Sequence, residues 1–204
     1  MSPGSVERTL DHVRDFGLRG LHLRFLAGFR LYREMPVYEL DFAAHPPRLE
    51  AVIPVGISVL TLSELAEYTF ATGHDPVTTR ILWDWGAICF IARHKGQIVA
   101  RVWAAERTFP LTYLSRDFVL QPDELYFLDA LTLPAFRGNN ILGALLSEAC
   151  RYYRLQGRRK AFTIVFSYNL HSIRGFQKVG FRFTSIRGYH QLGPWRRDFL
   201  SVTQ

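Results

Sequence analysis

The stretch Leu131-Thr132-Leu133-Pro134-Ala135-Phe136-Arg137-Gly138-Asn139-Asn140-Ile141-Leu142-Gly143-Ala144-Leu145-Leu146 decides how the chain is read. An apolar run closes on Pro134, a turn of Arg137, Gly138, Asn139 and Asn140 follows, and apolar residues then recur at helical spacing through Ile141, Leu145 and Leu146. The pattern is strand, tight turn, helix. Such a turn leaves the first N–H groups of the helix unpaired at the positive end of its dipole, where a phosphate is a natural guest. Strand-turn-helix units are common in α/β proteins and most bind nothing there, so the phosphate reading needs support from elsewhere.

Outward from this turn, residues 124–133 read as the strand that feeds it and residues 140–156 as the helix, with Gly157 a left-handed stop. Residues 160–168 alternate as a further strand, and 169–179 form a short helix closed by Gly180. Residues 181–186 and 189–192 complete the sheet. Upstream, 52–60 is a strand, and Thr61 or Ser63 caps a helix running to about Phe70. Pro76 opens a second helix toward Trp85. The β-rich runs 86–94 and 97–105 are joined at Lys95-Gly96 as a hairpin, and 106–123 is irregular.

Composition bounds the rest. The 204 residues are 48% hydrophobic, enough for one substantial core, and 25 basic against 18 acidic residues give a net charge of +7. That balance favours acidic partners without choosing among nucleotide phosphates, an acyl carrier protein, anionic lipid or nucleic acid. The basic residues form no recognised reading motif, so nucleic acid is the least favoured. Cys89 and Cys150 sit in apolar runs and read as two buried thiols of a reducing compartment. No Cys and His spacing suits a metal. No signal core or apolar run of about 18 residues is visible, which makes the expectation cytoplasmic with no transmembrane segment.

Residues 8–35 read as helix, interrupted at Gly17 and Gly20, with Arg24, Arg30 and Arg33 on a basic face. That face is either solvated or a surface for a membrane or acidic carrier protein. Pro46-Pro47 marks a break, which gives the expected organisation: residues 1–49 an N-terminal helical extension, residues 50–204 the domain proper.

Two stretches in order, Pro134-x-x-Arg137-Gly138-x-x-Ile141 and Asn169-Leu170-His171-Ser172-Ile173-Arg174-Gly175-Phe176-Gln177-Lys178-Val179-Gly180-Phe181, resemble the acyl-CoA-binding motif and the following Asn-x-x-Ala-x-x-x-Tyr-x-x-x-Gly-Phe motif of the GNAT superfamily, the GCN5-related N-acetyltransferases. The resemblance covers residues 50–192. It implies an α/β (α+β) GNAT fold: a mixed, mostly antiparallel central sheet with splayed central strands, flanked by helices. It also implies that the backbone of Leu131, Thr132 and Leu133 takes the pantetheine arm of acetyl-CoA or another acyl-CoA. The loop of Arg137, Gly138, Asn139, Asn140, Ile141, Leu142 and Gly143 would hold the pyrophosphate, with Asn169 and Phe176 completing the donor site.

The sequence departs from the family pattern at three positions. Asn140 and Leu142 stand where small residues are usual, and the position of the family's proton-donating Tyr falls on Phe176. Ser172, one turn before Phe176, or Tyr168, at the strand end, is expected to supply the missing hydroxyl. Glu124 lies 13 residues before Arg137, where the resemblance puts the catalytic Glu of the histone acetyltransferases; Asp129, at odd spacing from it, should face the other side of the strand.

The resemblance implies an N-acyltransferase, acetyl by default, that moves an acyl group from acyl-CoA to a primary amine of a small molecule or peptide by direct attack. Two alternatives stand beside it: a long-chain N-acyltransferase fed by acyl carrier protein, and a catalytically inactive GNAT-fold binding or regulatory module.

Overall fold

The computed structural model describes residues 31–107, 109–111 and 116–202, with backbone alone for 109–111 and 116–118. Its elements run β1 (Tyr32–Asp41), β2 (Gly56–Val59), α1 (Leu65–Thr72), α2 (Pro76–Asp84), β3 (Ile88–His94), β4 (Gln97–Ala105), β5 (Phe109–Leu111), β6 (Arg116–Phe118), β7 (Glu124–Thr132), α3 (Ile141–Leu155), β8 (Lys160–Ile164), α4 (Leu170–Val179), β9 (Arg182–Leu192) and β10 (Trp195–Val202). The chain divides into two compact units, the larger made of Glu39–Thr163 and Gly175–Phe181.

The larger unit is built on a mixed sheet in the order β8-β7-β4-β3-β2, antiparallel except for the parallel pair β7 and β8. Its hairpin turns on Lys95 (φ 49°) and Gly96 (φ 84°), a pair of left-handed residues whose twist matches the flanking strands. Alternation along β3 serves two faces. Cys89 and Ile91 join Tyr68, Leu82, Ile98 and Trp103 in a core beneath α1 and α2. Phe90 instead meets Tyr153 of α3 at 5.9 Å, ring edge to ring face. Phe127 continues that second layer, 6.3 Å from Tyr153 and 6.1 Å from Phe181.

Local chemistry starts and stops the helices. Glu64 Oε2 accepts from Thr61 N (2.8 Å) and Thr61 Oγ1 (2.7 Å) ahead of α1, and Gly73 (φ 62°) ends it. Asp75 Oδ2 accepts from Thr78 N at 2.8 Å with Pro76 in the first turn of α2. Gly157 (φ 81°) follows α3 as expected. Residues 46–55 cross α3, pinned where Ser147 Oγ donates to Pro47 O (3.0 Å) and accepts from Leu49 N (3.1 Å).

The smaller unit comprises residues 31–38, 164–174 and 182–202 of the described chain. Here β9 pairs antiparallel with β10, and Pro36 O of β1 accepts from Val165 N at 3.1 Å.

Several sequence expectations are corrected. Residues 32–35 are the start of β1, not the end of a helix; residues 35–38 and Leu40 are buried, with Pro36 inside the strand. The remainder of that expected helix, with Arg24 and Arg30, lies outside the described residues. Strand β2 is limited to four residues because Pro54 O is taken by His94 Nδ1 (2.8 Å) rather than by a ladder. The expected break near Gly188 does not occur. A Cβ there would run into the Arg33 carbonyl oxygen, so glycine serves close backbone approach inside one continuous β9. Strand β10 was hidden by its polar run Arg196-Arg197-Asp198. Among the described residues, no helix is long and apolar enough to cross a membrane.

Candidate active site

Strand β7 carries a bulge at its centre. Ala105, Ala104 and Trp103 of β4 face Tyr126, Phe127 and Leu128, but Arg101 faces Leu131, so Asp129 and Ala130 stand opposite Val102 alone. Asp129 takes φ 49°, a left-handed conformation that Asp tolerates better than most side chains do. On its other edge β7 pairs with β8 only from Glu124↔Lys160 to Phe127↔Thr163. The bulge therefore begins where the parallel pairing stops, and β7 continues to Thr132 without that ladder. On the β4 side Leu133 N still donates to Val99 O at 2.9 Å.

The turn after β7 holds its shape through local bonds. Pro134–Phe136 forms one 3-10 turn, Arg137 is extended (ψ 158°), Gly138 takes φ 82°, and Asn140 is left-handed at φ 54°, ψ 23°. Asn139 Nδ2 donates to Phe136 O at 3.1 Å. The first helical bond of α3 runs from Ala144 N to Asn140 O, so the N–H groups of Ile141, Leu142 and Gly143 precede the ladder, and the Asn140 side chain does not cap them. Its Nδ2 donates instead to Glu50 O (2.8 Å), while Val52 N donates to Asn139 O (2.9 Å), tying the crossing segment to the loop. The N–H groups of Ile141, Leu142 and Gly143 are the donors an anion needs. Leu142 packs on Gly175, where a Cβ would lie 2.8 Å from its Cδ2.

A second cluster surrounds the bulge. Arg101 grips Asp129 at two points, Nε to Oδ2 at 2.9 Å and Nη2 to Oδ1 at 3.0 Å. His74 Nε2 reaches the same Oδ2 at 2.9 Å, and its Nδ1 meets Thr79 Oγ1 at 2.6 Å. Arg101 also lies over the Tyr68 ring, 5.8 Å from its centre, and Tyr68 Oη accepts from Trp103 Nε1 at 2.8 Å. The Arg101 and His74 side chains are 7% and 9% exposed, whereas that of Asp129 is 34% exposed. Burial pushes the Asp129 carboxyl up, but the hydrogen bonds from His74 and Arg101, with their charge, outweigh it and hold the group below its ordinary range.

The family model described as "Acetyltransferase (GNAT) family" matches residues 59–181, from the end of β2 through α4. The chain belongs to the GNAT family. Among solved structures it is similar to a GCN5-related N-acetyltransferase from Sphaerobacter thermophilus (TM-score 0.59, 15% identity, 87% of this chain and 56% of that one). A GNAT-family acetyltransferase from Colwellia psychrerythraea gives TM-score 0.54 and 13% identity over 85% of this chain and 57% of that one. AAC(6')-Iy, solved in complex with the bisubstrate analogue CoA-S-monomethyl-acetylneamine, gives 0.52 and 17% over 63% and 91%. The chain thus spans little more than half the length of the first two, and identities this low speak for the fold. No curated protein matches the sequence.

Within this GNAT framework the sequence-derived residues fall as follows. Leu131 and Thr132 end β7, Leu133 follows it, and residues 137–143 form the turn and the start of α3. Glu124 opens β7, with Oε2 accepting from Gln121 N at 2.9 Å. Its expected opposition to Asp129 does not follow from counting, because the bulge breaks the alternation between them. Asn169 Oδ1 accepts from Ser172 N (3.2 Å) and so starts α4. Tyr168 stacks on Phe166 with centroids 5.2 Å apart. Phe176 is 1% exposed and packs edge-on against Phe181 at 5.1 Å. The reading missed Arg101 and His74. The available signal was one arginine inside the apolar run Ile98-Val99-Ala100-Arg101-Val102-Trp103.

Proposed function

We propose that this GNAT protein is an N-acyltransferase that moves an acyl group, acetyl by default, from acyl-CoA to a primary amine in a ternary complex. One observation carries the reading: a bulged strand whose parallel pairing has ended leads within one turn to a helix start with three uncommitted N–H groups. Those groups, with Arg137 opening the loop, suit a pyrophosphate, and the backbone of Leu131, Thr132 and Leu133 suits the amides of a pantetheine arm. Held this way, the thioester carbon is attacked by the amine nitrogen. The nitrogen attacks as the neutral amine, its ammonium proton having passed to water; the C–N bond forms, the C–S bond breaks, the sulfur leaves as thiolate, and the nitrogen gives its surplus proton to water.

Phe176 offers that thiolate no proton. A thiolate with a solution pKa of about 8.5 leaves tolerably without help, and a positioned acid adds about a hundred- to ten-thousand-fold. We assign that donor to Ser172 or Tyr168. Glu124 stands about 16 Å down the strand from the bulge by strand rise, so as a base it would reach the amine only through water. Release of free CoA thiol on mixing acetyl-CoA with a panel of primary amines tests the reading; no release with any amine would favour the inactive binding module, to which the buried, hydroxyl-free Phe176 points.

A further inference from the structure

We propose that the Asp129 carboxylate receives the acceptor, taking an N–H of a cationic primary amine on the free lone pair of Oδ1. The inference rests on the acyltransferase reading above. It starts from hydrogen-bond capacity. An ionised carboxylate offers about four acceptor directions. Arg101 Nε and His74 Nε2 occupy Oδ2, and Arg101 Nη2 takes one direction of Oδ1. One direction of Oδ1 remains, on a side chain that is 34% exposed while both of its donors are buried.

The donors are themselves anchored. Arg101 Nη1 donates to Thr72 O at 3.4 Å, at the end of α1, and His74 is held through Thr79, which is 2% exposed and bonded to Asp75 O at 2.9 Å. A carboxylate fixed by a buried second layer offers its open edge to a ligand at little entropic cost. Stability alone does not explain the arrangement, because a buried ionic triad is commonly no more stable than apolar packing of the same volume. Asp129 also holds a left-handed backbone that an ordinary strand would not impose, and it does so two residues before Leu131, where the backbone assigned to the pantetheine arm begins. The chemistry selects the ligand class: the remaining acceptor on a charged oxygen favours an ammonium over a neutral alcohol of equal length and disfavours a carboxylate.

The test follows the Asp129 carboxyl carbon by 13C NMR in the full chain while n-butylammonium chloride, n-butanol and sodium chloride are titrated separately. The expected result is a saturable shift with n-butylammonium alone. No shift, or the same shift with n-butanol or sodium chloride, overturns the inference. Asp129→Asn should raise the KM for the acceptor about 10- to 100-fold, the weight of a charge-assisted hydrogen bond, and leave the acyl-CoA Kd within about twofold; an unchanged acceptor KM overturns it as well. Calorimetry with acyl-CoA on the same wild-type sample separates the two levels. Acyl-CoA binding without the ammonium shift sinks this inference alone, and absence of acyl-CoA binding sinks the acyltransferase reading and this inference with it.

Discussion

Arg101 and Asp129 meet in a two-point contact across the β7 bulge, with Arg101 Nε 2.9 Å from Oδ2 and Nη2 3.0 Å from Oδ1. The guanidinium is 7% exposed and has an aromatic ring beneath it, so the carboxylate is what makes its burial tolerable. Replacing Arg101 leaves Asp129 with His74 alone. Arg101→Met should lower unfolding stability by about 1.5–3 kcal/mol, the weight of hydrogen bonds to a charged group, read as a fall in the midpoint of urea denaturation. A loss under about 0.5 kcal/mol, the range of ordinary surface changes, would show that the contact is incidental.

The same pair sets a dependence on acid. The folded-state carboxyl of Asp129 titrates below its unfolded value, so its contribution is present in full above the ordinary carboxylate range and is lost as pH falls through the lower, folded value. Melting temperature followed from pH 6 downward should therefore drop more steeply in the wild type than in Asp129→Asn. Parallel curves would remove Asp129 from the cause.

Cys89 and Cys150 are each 1% exposed, and burial raises both thiols far above their ordinary range. Neither should react with a thiol reagent at pH 8 in the native protein, and both should react once it is denatured. Prompt reaction of either in the folded chain would contradict the packing beneath α1 or within α3.

Asn140 combines a left-handed backbone with a side-chain bond to Glu50 O. Asn140→Gly keeps the conformation and loses only the bond, whereas Asn140→Ala must carry a left-handed strain of about 1–2 kcal/mol. The alanine variant should bind acyl-CoA about tenfold more weakly than wild type, by conversion of that strain, and the glycine variant should fall between. Equal affinities would mean that the loop is not held in this shape when the donor binds.

The sequence made the central unit legible because its signals are local. Pro134, Gly138 and the apolar spacing of Ile141, Leu145 and Leu146 mark the strand, turn and helix, and Lys95-Gly96 marks the hairpin. What escaped was set by contacts distant in sequence. The bulge at Asp129 has no signature of its own, since it exists only against β4 and its side chain is held by Arg101 and His74, 28 and 55 residues away in the chain. Gly188 read as a break because nothing local shows that the Arg33 carbonyl needs the space. Leu142 stands where a small residue is usual, and nothing local shows that Gly175 makes room for it.

The central claim is that the turn from Arg137 to Gly143 binds the pyrophosphate of an acyl-CoA. Isothermal calorimetry of the full chain against acetyl-CoA and a ladder of longer acyl-CoAs, with Arg137→Ala beside the wild type, addresses it directly. The account predicts binding in the micromolar range that weakens at least about tenfold in the variant, the weight of one charge-assisted contact. Absence of binding by every acyl-CoA, or equal binding by the variant, would contradict it.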